Sequence, residues 1–168
     1  MLADVREGYV SADTARTVYG VVLGQWTVDA EKTRAARAAV RSRRRARALA
    51  PETRIDDPPR AATPVGRLSA VVEVVRSGGA LVARCAACGA GLARAPGSWK
   101  AGAAVAETTL GTPAYTAVSG AAAPLRAAGA VVLREHFCPG CARLLETEVV
   151  VGGTPPEADV QPEFWAGA

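Results

Sequence analysis

Histidine occurs once in the 168 residues, as His136, and lysine only twice, as Lys32 and Lys100. With a single imidazole, the serine hydroxyls, including Ser98 and Ser119, have no recognisable base partner, which argues against an autonomous hydrolase. Neither lysine is flanked by methionine, so a carried biotin is not expected. There is no G-x-x-x-x-G-K-[ST] loop, and Gly89 and Gly91 lack the third glycine and following helix of a dinucleotide fingerprint. Aromatic residues are scarce: Trp26, Trp99, Trp165, three tyrosines and two phenylalanines. A core must therefore be built from Ala, Val and Leu, and small parts with such thin cores need a metal or a partner. No charged opening followed by an apolar stretch is present, and no apolar run approaches the ~20 residues of a membrane span. The expectation is a cytoplasmic protein with no membrane contact. The net charge of +4 comes almost entirely from arginine in an alanine-rich chain, a compositional bias that is weak evidence for any particular partner.

Four cysteines are present, and all fall in two matching elements: Cys85-Ala86-Ala87-Cys88-Gly89 and Cys138-Pro139-Gly140-Cys141. A two-residue spacer lets one tight turn aim two sulfurs at one ion, so two such knuckles with no cysteine left over read as a single four-thiolate zinc site. Gly89 and Gly140 suit such turns because glycine accepts positive φ. Two disulfides or buried free thiols are the competing readings, and disulfides would require an oxidising compartment. Catalytic zinc keeps an open coordination position, whereas four cysteines close the shell, so the ion is expected to be structural. His136 lies two residues before Cys138 and shares its face by strand alternation. With the shell full, it reads as a partly exposed structural histidine. Glu135, Glu146 and Glu148 read as solvated strand positions.

Along the chain, Ser11 caps a short helix from Ala12 to Tyr19 that ends at Gly20, and Val21 to Leu23 follows as a brief strand. Asp29 caps a second helix reaching about Leu49 and stopped by Pro51. Its basic side chains run from Lys32 to Arg47, five of them arginines between Arg41 and Arg47, and its apolar positions are mostly alanine. Such a stripe is too weak to fold alone. Arginines of this density can neutralise phosphates, but no aromatics interleave with them for base stacking. Pro51, Pro58, Pro59 and Pro64 with Asp56 and Asp57 mark a linker. Beyond it, strands are expected at Leu68 to Val75, Ala80 to Arg84, Ala130 to Phe137 and Leu144 to Val151, with Gly78-Gly79 as a hairpin turn. Gly89 to Gly129 gives only weak signals, Trp99-Lys100 being the most distinctive.

Two stretches resemble known families. Asp4-Val5-Arg6-Glu7-Gly8-Tyr9-Val10-Ser11, then Ala15-Arg16 and Tyr19-Gly20-Val21-Val22-Leu23, resembles the C-terminal end of hydantoinase B/oxoprolinase large subunits over about residues 1–45. Cys85-x-x-Cys88-Gly89, Trp99-Lys100, Leu133-Arg134-Glu135, Cys138-Pro139-Gly140-Cys141 and Leu144-Leu145-x-x-Glu148-Val149 resemble the small zinc-containing subunit of acetone and acetophenone carboxylases over about residues 65–160. The resemblance implies an accessory, non-catalytic subunit of an ATP-dependent, biotin-independent ketone carboxylase, or of a related hydantoinase-type complex. Its partners would be large hydantoinase A/B-like subunits in a hetero-oligomer. Only a tail of the large subunit is matched, so no catalytic residue carries over, and Cys85, Cys88, Cys138 and Cys141 are the only site residues transferred. The expected fold is α+β, with a helical docking arm (1–50), a proline-rich linker (51–64), a β-rich zinc-ribbon domain (65–153) and an extended tail (154–168). The apolar residues Tyr9, Val18, Tyr19, Val21, Val22 and Trp26, lacking a core of their own, would serve the docking. The competing class is a zinc-ribbon protein that binds nucleic acid or associates with transcription through the arginine helix.

Overall fold

A computed structural model describes residues 1–25, 27–110 and 130–156, so Trp26, Phe164 and Trp165 lie outside the described residues. The chain divides into two units, Met1–Arg47 and Ala48–Ala168. The first holds helices α1 (Leu2–Arg6), α2 (Ala12–Thr17) and α3 (Ala30–Arg47). Helix α2 starts where the Ser11 hydroxyl accepts a hydrogen bond from the Thr14 N–H, and α3 where the Asp29 carboxylate accepts from the Lys32 N–H. Gly20 takes a φ of 61° and lies against the backbone of Arg37, where a Cβ would come within 3.0 Å of the Arg37 side chain. The expected strand at Val21 to Leu23 is reduced to a single bridge between Leu23 and Val28. Its main-chain donor at Val22 is taken instead by the buried Thr33 hydroxyl, 3.0 Å away. Among the described residues, Ala15 and Val21 are the buried apolar residues of this unit, while Tyr9 and Tyr19 are 79% and 52% exposed and Val18 is also exposed. The expected exposed cluster thus loses Val21 to the interior.

The second unit has two antiparallel sheets. Sheet one is a meander of β1 (Thr63–Arg67), β2 (Val72–Ser77), β3 (Ala80–Cys85) and β4 (Gly91–Arg94); sheet two orders β5 (Ala104–Thr109), β6 (Val131–Phe137) and β7 (Leu144–Val151). With three helices in one unit and two small sheets in the other, the fold is α+β. Gly78 and Gly79, at φ 58° and 80°, turn β2 into β3 as anticipated. The β-branched run from Leu68 to Val75 is not one strand. The Ser69 hydroxyl accepts hydrogen bonds from the N–H groups of Val71 and Val72, which reverses the chain between β1 and β2. A 3-10 turn at Trp99–Gly102 connects the sheets, and β4, this turn and β5 all arise from the stretch of weak sequence signal.

One apolar core joins the two sheets, with Val72, Leu81, Leu92 and Trp99 packed beside Cys138 and Leu145. The proline-rich stretch, expected as a linker, lies along this unit. Leu49 pairs with Val105, the Thr53 N–H donates to the Ala101 carbonyl, the Asp57 carboxylate accepts from the Gly91 N–H at 2.8 Å, and the Pro59 carbonyl accepts from Arg84. Gly102 is pressed onto β4, where an added Cβ would stand 1.7 Å from the Leu92 carbonyl oxygen. Backbone cannot yield as a flexible side chain would, so Gly102→Ala is expected to destabilise the second unit by about 3 kcal/mol. Urea unfolding of the full chain measures this directly, and an unchanged midpoint would contradict the close approach.

Candidate metal centre and the buried charges beside it

Each cysteine pair lies at the end of a central strand. Strand β3, between β2 and β4, runs into Cys85 and Cys88; β6, between β5 and β7, runs into Cys138 and Cys141. The two turns are built alike. In the first, the Gly89 N–H donates to the Cys85 carbonyl and the Cys85 N–H to the Ala90 carbonyl. In the second, the Ala142 N–H donates to the Cys138 carbonyl and the Cys138 N–H to the Arg143 carbonyl. The left-handed residue that follows each pair is Gly89 (φ 83°) and Ala142 (φ 55°). Gly140 is therefore not there for positive φ, as the spacing alone suggested. It is there for clearance: a Cβ at Gly140 would lie 3.0 Å from the Ala90 Cβ and 3.3 Å from the Cys88 sulfur.

These turns bring all four sulfurs within 4.8 Å of one another. Cys85 and Cys141 are 3.8 Å apart and Cys88 and Cys138 3.5 Å. A disulfide would require about 2.0 Å, and the four thiols are free. Four thiolates at about 2.3 Å from a tetrahedral ion stand about 3.8 Å apart, so the cluster has the size and the donor set for a soft divalent metal. The protons are shared unevenly among the thiols. The Cys138 thiol beside it, with the N–H groups of Ala87 and Cys88, holds Cys85 down to about 5 against the upward pull of burial. Cys138 is pushed up by its bond to Cys85 and by burial, and Cys88 is raised chiefly by burial. His136 is not one of the clustered ligands.

Beside the cysteines lies a cluster of charges in which Glu148, expected as a solvated strand position, is largely buried, while Glu146 keeps a third of its side chain exposed. The Lys100 side chain is 1% exposed, and its ammonium contacts the Glu146 carboxylate at 2.8 Å and the Glu148 carboxylate more closely still. Arg134 is also buried; its Nε donates to Glu107 at 2.8 Å and its Nη2 to the Thr154 carbonyl, with Glu148 3.5 Å from Nη1. Glu148, only 11% exposed, is the shared member, and strand pairing explains why. Glu107, Arg134 and Glu148 are register partners across β5, β6 and β7, and Val105, His136 and Glu146 are the next such row. His136 is fully buried, not partly exposed. Its ring meets Trp99 edge-on at 5.8 Å, and its Nε2 lies 3.4 Å from Glu148 without hydrogen-bond alignment for either ring nitrogen. The signal available in the sequence was the i, i+2 spacing of Glu146 and Glu148, which puts both on one face of β7.

The profile of the family described as acetone carboxylase gamma subunit matches residues 67–166. That stretch runs from the end of β1 and includes both cysteine pairs, Trp99-Lys100 and the charged face of β6 and β7. The chain belongs to this family. A comparison with curated proteins finds no match. Within the acetone carboxylase gamma subunit family stretch lie all four candidate metal ligands, whereas α1, α2, α3 and the residues paired along the proline-rich stretch precede it. Among the described residues, no helix is long and apolar enough to cross a membrane.

Lys100 and Glu148 also make the unit sensitive to mutation and acid. Removing one member of a buried ion pair strands the other, so Lys100→Ala is expected to cost about 3–5 kcal/mol in urea unfolding. Burial alone would raise the Glu148 carboxyl, but the Lys100 hydrogen bond and the nearby His136 hold it below its ordinary 4.5. A depressed folded value stabilises the protein above the ordinary one, and this contribution is lost as pH falls through the lower folded value. Acid unfolding below pH 4.5 should therefore be steeper in the native chain than in Glu148→Gln; equal slopes would remove Glu148 from the account.

Proposed function

We propose that this chain is an accessory, non-catalytic subunit of a multisubunit, ATP-dependent and biotin-independent ketone carboxylase, and that Cys85, Cys88, Cys138 and Cys141 hold one structural zinc ion. The observation that carries the reading is the coincidence of two features on one stretch: the family match spans residues 67–166, and the four-sulfur cluster lies inside it. Zinc would supply cross-linking here and no reaction chemistry, because four thiolates fill a tetrahedral shell and leave no position for water or substrate. Free thiols at this site suit a reducing compartment, which supports a cytoplasmic location.

The partners in this reading are large hydantoinase A/B-like subunits. The first unit is the docking arm. Ala15 and Val21 form a minimal interior, and Tyr9, Val18, Tyr19 and Val28 stay exposed, more apolar surface than so small a piece should leave open. Covalent attachment of such an arm to the metal-bearing unit would hold that unit on the large subunits at high effective concentration.

Metal content, melting and complex assembly test this. Cys88→Ser should lose the metal and melt at the midpoint of the metal-free native chain, because a three-thiolate shell no longer closes both sheets on one ion. Elemental analysis of the purified chain should find one zinc per chain; iron, the other metal common in four-sulfur tetrahedral sites, would overturn the zinc assignment. Co-expression with the large subunits should yield a stable complex in which ketone-dependent ATP consumption requires this chain. Removal of Met1–Arg47 should weaken that complex at least about tenfold, as loss of a tether does, with metal content unchanged. A truncated chain that assembles as tightly as the whole would refute the docking arm, and salt-dependent binding to generic DNA in place of complex formation would favour the nucleic-acid class.

A further inference from the structure

Lys100 is a buried charge of the second unit whose presence the metal site does not by itself explain. A lysine 1% exposed gains little over an apolar side chain in stability, since desolvation of the charges offsets most of their attraction. Its position is more informative. The four sulfurs come from two sheets that share no strand, so their spacing depends on how sheet two is seated on sheet one. Lys100 belongs to the turn between those sheets. The backbone of that turn is fastened to sheet one through the contact of Gly102 with Leu92, and the Ser98 hydroxyl accepts from the Lys100 N–H at its start. The Lys100 ammonium reaches across to Glu148 and Glu146 of sheet two, and Trp99 rests edge-on against His136, two residues from Cys138.

We propose that Lys100, with Glu148 as its main partner, is a positioning residue for the four-cysteine site: this buried contact seats sheet two on sheet one and pre-forms the sulfur cluster before a metal arrives. The inference rests on the reading that the cysteines hold a metal. Its physical basis is the contrast between directional and non-directional contacts. A core made largely of Val, Ala and Leu accepts small slides at little cost. An ammonium 1% exposed and paired with a carboxylate 11% exposed does not, because displacement leaves a buried charge unpaired. Buried polar contacts act elsewhere as devices of register in this way, at no gain in stability. Trp99 does not supply the same constraint, since an edge-on aromatic contact is weaker and less directional than a charge pair.

The experiment uses the full-length chain and a variant that removes both charges while keeping their shapes, Lys100→Met with Glu148→Gln. Co(II) and Zn(II) are titrated in competition with a chelator, the thiolate charge-transfer and ligand-field bands of Co(II) are recorded, and the metal-free proteins are melted. The expected result is Co(II) binding at least tenfold weaker in the variant, with broadened ligand-field bands, and a metal-free melting midpoint within about 5 °C of the native chain. A purely structural role would move the melting midpoint and leave the Co(II) spectrum of the folded fraction alone. Unchanged affinity and spectrum in the variant would overturn the proposal, whereas failure of the native chain to bind either metal would overturn the metal reading and the proposal with it. If the variant does not fold, amide hydrogen exchange of the native chain decides. Protection of β6, β7 and the 99–102 turn in the metal-free protein, little changed by Zn(II), supports the proposal; protection that appears only with Zn(II) assigns the seating to the metal and overturns it.

Discussion

Everything in the second unit follows from the requirement that two separate sheets end their central strands at one point. Cys85 and Cys88 close β3, Cys138 and Cys141 close β6, and the four sulfurs meet within 4.8 Å. Sulfur ligands tolerate little error in placement, so the turns that carry them are built to the same plan, with equivalent backbone bonds and a left-handed residue, Gly89 or Ala142, directly after the second cysteine. Gly140 has no side chain because the opposite knuckle approaches there. The sheets are small, and their shared core has few large side chains. A metal cross-link between them would supply what apolar burial at this size does not.

That requirement also makes sense of the charges beneath the cysteines. Lys100, Arg134, Glu107, Glu146 and Glu148 converge on one face of sheet two, with His136 and Trp99 at its margin. Such a network offers little net stability, because Lys100, Arg134 and Glu148 give up most of their hydration on entering the interior. Its value lies in selecting one arrangement among several that a core of Val and Ala would accept. Glu148 is the hinge of the arrangement, facing Lys100 from the connecting turn and Arg134 from the neighbouring strand.

The first unit obeys a different logic. Its helices are capped where local chemistry dictates, at Ser11 and Asp29, and among the described residues the apolar side chains they bury are Ala15 and Val21. Local hydrogen bonds define the shape of such a piece, and Tyr9, Val18, Tyr19 and Val28 are left at its surface. Membership in the acetone carboxylase gamma subunit family, carried by residues 67–166, supplies the setting in which a partner is to be expected.

Much of this was legible in the sequence, for identifiable reasons. Doubled C-x-x-C spacing, helix caps, the Gly78-Gly79 turn and the strands leading into and out of the second knuckle are properties of near neighbours in the chain, and those the structure reproduces closely. Where side chains compete with the pattern, the structure departs from it: the Ser69 hydroxyl holds the start of the β-branched run in a turn, so that β2 begins only at Val72, and Thr33 takes the hydrogen bond that a strand at Val22 would have used. Glu148 is largely buried where a solvated position is expected, and His136 is fully buried where a partly exposed one is, because alternation along a strand tells which residues share a face and not what covers it. Residue types and spacings by themselves determined that four thiols form one cluster. Only the tertiary structure decided that the Trp99–Gly102 turn folds over β6 and β7, burying Lys100 among glutamates 46 and 48 residues further along the chain, since burial of a charge depends on partners that no local pattern names.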